Sequence, residues 1–179
     1  MLQSPVSLGA RPSAPPNLID QNDREPWKKL NESAFAFRHN LQGHPLFRIE
    51  HLADLSEHVF DYPDYQRYFA FSERSLPKPE LKRILRESIL NIGNNGRWLA
   101  LHHIDKVVPQ YGQLLDQLFA DIERLIGQPI RSQMTWGSMS IFMNAPALSV
   151  PYHFDHETNF SCRSKAKRMY GSIRQGCRR

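Results

Sequence analysis

Cysteine is scarce: two residues in 179, Cys162 and Cys177, both in the last tenth of the chain, too few for a disulfide framework. No apolar run reaches the roughly 18 residues that a membrane-spanning helix needs. The first residues lack the basic, apolar and small-residue succession of a secretory signal. These absences predict a soluble, cytoplasmic protein, and a 40% apolar content is enough to build the core of one domain. Acidic residues are missing altogether from Ser161 to Arg179, where seven Lys and Arg occur. Taking those seven from the formal charge of +5 leaves residues 1–160 at −2, so the high pI belongs to the tail alone. That tail carries only Tyr170 as an interleaved aromatic and matches no RNA- or DNA-binding module, so a solvated basic segment is expected and nucleic acid is not an expected partner.

What is present falls into four stretches. Residues 1–25, with Pro5, Pro12, Pro15 and Pro16 and no apolar period, read as a disordered or loosely attached leader. Residues 26–128 form a mixed helical region. In it Phe35–Phe37 and the aromatic alternation Tyr65–Phe71 predict short strands, and Phe47–Val59 predicts an amphipathic helix. Pro79 suits the first turn of a helix reaching about Asn91, with Leu81, Ile84, Leu85, Ile89 and Ile92 on its apolar stripe. Trp98–Ile104 predicts a buried strand, with His102 and His103 as core or hydrogen-bonded histidines. Tyr111–Ile126 is the clearest helix, and Gly127 stands at its C-terminal cap. From Ile130 the period changes to two, and residues 129–160 predict strands with Trp136 and the Met134–Met143 stripe in a barrel core. The order of helices and then strands predicts an α+β fold.

The segment Ser149–Phe160, Ser-Val-Pro-Tyr-His-Phe-Asp-His-Glu-Thr-Asn-Phe, carries the chemistry. On a strand, the period of two puts His153, Asp155 and Glu157 on one face. Imidazole with carboxylate suits two positions of a non-haem iron site built from two histidines and one carboxylate. Glu157 is expected beside that pair at the rim. A His153/His156 zinc pair on a helix is the competing reading, but no Cys or His cluster completes four ligands. His153 and Asp155 as plain polar residues of a half-exposed strand are the other alternative.

Pro151, His153, Asp155, Asn159 and Phe160 together resemble the JmjC and cupin-like branch of the iron(II)/2-oxoglutarate-dependent oxygenases, in particular bacterial cupin-like proteins related to asparaginyl hydroxylases. His44-Pro-Leu-Phe47, Trp98 with Leu101-His102, and Tyr111 with Leu114-Leu115 are similar to the helical region that precedes the motif in that branch, so the likeness covers roughly residues 33–160. The resemblance implies a helical N-terminal region followed by the first strands of an incomplete jelly roll (a double-stranded β-helix, cupin-like). It implies His153 and Asp155 as metal ligands, Asn159 in the co-substrate pocket, Fe(II) and 2-oxoglutarate as cofactors, and a protein or small-molecule substrate for hydroxylation. Val150 stands where relatives often carry a threonine that hydrogen-bonds 2-oxoglutarate, a bond valine cannot make. The family continues with a strand of the type Asn-Phe-Leu-Leu-Gln-Ile-Lys-Gly, a basic co-substrate anchor and a distal histidine. Here no histidine follows His156.

The tail explains the departure. Reading the last base of each codon with the first two of the next, from Phe160 onward, permissible codons for Ser161–Gly171 also spell Leu-Leu-Gln-Ile-Lys-Gly-Glu-Thr-Asp-Val-Trp. Residues 161–179 are therefore expected to be an out-of-frame tail on a truncated, inactive oxygenase. The alternative expectation is a non-catalytic cupin-like interaction module.

Overall fold

The computed structural model describes residues 16–71, 75–145 and 158–163. Helix α1 (Ile49–Val59) and helix α2 (Lys78–Leu90) pack against a three-stranded antiparallel sheet of β1 (Phe69–Ala70), β2 (Trp98–Leu101) and β3 (Ile141–Asn144), in the order β1-β2-β3. A short helix α3 (Ile104–Val107) leads into the long helix α4 (Pro109–Ile126). The architecture is α+β, as the sequence predicts.

Sequence spacing accounts for these elements. In α2 Leu81, Leu85, Ser88 and Ile89 are buried and lie one or two turns apart, Pro79 opens the first turn, and Arg83 pairs with Glu87 on the outer face at 2.8 Å. In α1 Leu52, Ala53, Leu55, Ser56 and Val59 meet that stripe, and Arg86 bridges the two helices to Asp54 and Glu57. In the sheet, the pairs Phe69↔Leu101, Leu99↔Met143 and Leu101↔Ile141 turn one face onto α1 and α2. The opposite face carries Trp98, Ala100, Phe142 and Asn144. Gly127 ends α4 at φ 75°, its N–H donating to the Glu123 carbonyl at 2.9 Å.

A second apolar cluster lies on the other flank of α4. Ile122 and Leu125 pack there with Ile19, Trp27, Phe35 and Phe37, and Phe160 and Cys162 close it. This cluster changes the reading of the leader. Residues 1–15 lie outside the described residues, but Leu18 and Ile19 are buried, and the chain is attached from there on. Asp121, 1% exposed on α4, is the anchor: its Oδ2 accepts the Leu18 and Ile19 N–H groups at 2.6 and 3.0 Å.

Three further expectations need correction. Phe35 and Phe37 are buried on either side of an exposed Ala36, but they form no strand. Their alternation serves packing around Trp27, and pairing is limited to a bridge between Ile19 and His39. The Tyr65–Phe71 alternation resolves into a 3-10 turn, Tyr65–Arg67, before a two-residue strand, because Tyr65 stacks on Phe69 with ring centroids 6.1 Å apart. Trp136 is 60% exposed and not a core residue, and the strand predicted from Ile130 begins only at Ile141, after a 3-10 turn at Arg131–Gln133. Within that stripe Met143 is buried.

Candidate metal centre and neighbouring polar networks

The chain leaves β3 at Asn144 and enters the motif segment; the Ala145 N–H still donates to the Arg97 carbonyl at 3.0 Å. Val150, Pro151, His153, Asp155, His156 and Glu157 lie outside the described residues. Description resumes at Thr158, with Asn159 half-buried. The Phe160 ring lies nearly parallel to Trp27 at 6.0 Å and edge-on to Phe37 at 6.4 Å. Ser161 and Arg163 are exposed, whereas Cys162 is packed beside Leu118, and burial pushes its thiol up to about 12. The period of two thus continues through Cys162, at a position where the shifted reading of the tail places a leucine.

His153 and Asp155, the expected metal ligands, have the donor types of a two-histidine, one-carboxylate centre. Among the described residues no group of three or more His, Cys, Asp or Glu side chains is arranged to hold a metal. The described residues supply no three-donor set, so no reaction step through iron is derived for this chain.

The two histidines expected to be hydrogen-bonded are so. His102 Nδ1 lies 3.2 Å from Ser140 Oγ, with the ring edge-on to Phe142 at 5.8 Å. His103 Nδ1 lies 2.8 Å from Ser138 Oγ, which donates to Asp105 Oδ1 at 3.1 Å. Asp105 Oδ1 also accepts the Met139 N–H at 2.9 Å, tying the approach to β3 onto α3. This His103–Ser138–Asp105 chain escaped the sequence reading. Ser138 and Ser140 alternate with Met139 and Ile141, which puts both hydroxyls on one side of the chain, but their histidine partners lie 35 and 38 residues away in sequence.

Burial lowers the pKa of His39 and of His44, keeping both rings toward the neutral form. His39 Nδ1 accepts the Leu41 N–H at 3.1 Å, so the hydrogen of the neutral ring sits on Nε2, a buried atom with no hydrogen-bond partner among the described residues. His44 Nδ1 accepts the Leu46 N–H at 3.3 Å and caps the Pro45–Phe47 turn. Both are structural histidines.

Among the described residues no helix is long and apolar enough to cross a membrane. Comparison of the chain with family models, curated proteins and solved structures gives no match.

Proposed function

We propose that this chain is the N-terminal part of an iron(II)/2-oxoglutarate-dependent oxygenase of the JmjC and cupin-like type, inactive as it stands. The observation that carries the reading is the Ser149–Phe160 segment, with Pro151, His153, Asp155, Asn159 and Phe160 in register. The fold supports it in two ways. The last strand of the antiparallel sheet, β3, ends just before the segment, as an opening strand of a jelly roll would. Phe160 is anchored in the cluster around Trp27, which fixes the far end of the segment.

In this reading His153 and Asp155 would hold the metal, and Asn159 would face the co-substrate. When bound, iron with 2-oxoglutarate would supply the oxidising chemistry. Two ligands give an open, weak site, and neither the distal histidine nor a basic anchor for the keto-acid carboxylate follows. The purified chain is expected to release no succinate from 2-oxoglutarate above a metal-free control. Robust iron-dependent release would refute the inactive reading. The coding DNA tests the origin of the tail, because a shifted frame that stops at once or encodes no alternating strand removes that explanation.

One observation favours the second reading, a non-catalytic interaction module. Trp98 and Phe142, 51% and 69% exposed, stand on the same outward face of the sheet. A pure interaction module would be indifferent to loss of His153, which separates the two.

A further inference from the structure

A cleft of about 170 Å³ is lined by Arg67, Tyr68, His103 and Lys106. Arg67 and Tyr68 end the turn before β1, whereas His103 and Lys106 belong to the start of α3. The sheet brings these two turns together: β1 and β2 pair at Phe69↔Leu101, and the His102 N–H donates to the Tyr68 carbonyl at 2.8 Å. Three basic side chains from two elements therefore share one cleft.

Hydrogen bonding decides the tautomer of the neutral His103 ring. The single proton of the Ser138 hydroxyl goes to Asp105 Oδ1, 3.1 Å away. Ser138 Oγ can then only accept from His103 Nδ1 at 2.8 Å, so Nδ1 carries a hydrogen, and in the neutral ring the lone pair is on Nε2. Nε2 has no hydrogen-bond partner among the described residues. His103 also holds a left-handed backbone, φ 53° and ψ 32°, uncommon for a residue with a side chain. The Asp105 bonds to Ser138 and Met139 brace that turn.

We propose that this cleft binds a phosphoryl-type oxyanion, with Arg67 and Lys106 as charged donors and His103 Nε2 taking up a proton as the anion enters. A lone pair facing a dianion is repulsive, whereas the protonated atom donates to it. Arg67 is paired with Asp64 at 3.3 Å and Lys106 with Asp105 at 3.0 Å. A guanidinium has five N–H donors and an ammonium three, so each retains donors for a ligand. The two carboxylates offset the two cations, which leaves the proton on His103 to set the net charge. The other titratable groups on the adjoining turns include Tyr65, stacked on Phe69, His102, and the phenols of Tyr68 and Tyr62, the latter two with ring centroids 5.3 Å apart. The inference uses described residues only and does not depend on the iron reading.

The test is a titration of the full chain with inorganic phosphate and with sulfate, whose charge is constant across the histidine range. Long-range proton–nitrogen NMR of the histidine side chains reads the result. At a pH above the histidine range the free protein is expected to show the Nδ1-hydrogen tautomer of His103, and either anion should shift it toward the doubly protonated ring. Sulfate affinity should fall as pH rises through the histidine range. Arg67→Gln and His103→Asn should each weaken binding about tenfold, and asparagine tolerates the left-handed backbone, so the turn is kept. Hydrogen on Nε2 in the free protein, pH-independent sulfate binding, or equal shifts in wild type and His103→Asn would each overturn the proposal. So would acetate binding as tightly as sulfate.

Discussion

Asp121 has the most consequential single side chain among the described residues. It sits within the apolar stripe of α4, between Leu118 and Leu125, where a sequence reading expects only hydrophobes. Its position looks like a pattern error until Leu18 and Ile19 are seen donating to it, with Arg124 on Oδ1 at 3.1 Å. Replacing it with alanine strands two backbone N–H groups in the interior. Asp121→Ala is therefore expected to lower stability by about 2–4 kcal/mol in denaturant unfolding, and Asp121→Asn, which keeps one acceptor, by clearly less. Equal small losses in both would mean that the leader is not held there.

Glu123 gives a pH signature. It accepts from the Arg131 side chain and from the Arg131 and Ile130 N–H groups, which lowers its carboxyl from an ordinary 4.5 to about 2. A depressed carboxylate stabilises the fold above its unfolded pKa, and the contribution fades as pH falls from about 4.5 toward about 2. Glu123→Gln should flatten the stability profile in that window and leave the slope above it unchanged. A profile identical to that of the wild type would contradict this account. At this scale His153 and Asp155 are read from a local motif and lie outside the described residues. The His103–Ser138–Asp105 chain and Asp121 were not legible, since their partners lie 33 to 103 residues away in sequence.

Among elements, the helices were read most directly. The stripes of α1, α2 and α4 recur at three and four, and Pro79 and Gly127 mark one start and one end. The strands were read less well. β1 is two residues long because Tyr65 and Tyr68 are consumed by a turn in which aromatic stacking replaces pairing. The stretch before β3 alternates without pairing, because Asp105 takes the Met139 N–H and Met139 in turn accepts the Ile104 N–H at 3.1 Å. Alternation reports which side chains face inward, and backbone pairing needs a neighbour that local sequence does not name. The α1–α2 layer offers a direct check. Leu85 is fully buried between the helices and the sheet, so Leu85→Ala should cost about 2–5 kcal/mol with an unchanged denaturant dependence. A cost below about 1 kcal/mol would mean that the layer is not packed as described.

For the whole molecule, helices on one face of a small antiparallel sheet and an aromatic cluster across α4 give an α+β body with an outward sheet face bearing Trp98 and Phe142. That body was legible as a class from the order of periodicities. The jelly roll stays part of the proposal, because three short strands do not by themselves distinguish it from other antiparallel sheets. The proposal rests on the imidazole at position 153 and the carboxylate at 155 acting as one iron grip. Anaerobic titration of the full chain with Fe(II), followed by calorimetry, tests this most directly. The account predicts one weak site, lost in His153→Ala and in Asp155→Ala while both variants unfold as the wild type does. Binding of the same strength and stoichiometry in either variant, or none in the wild type, would contradict it.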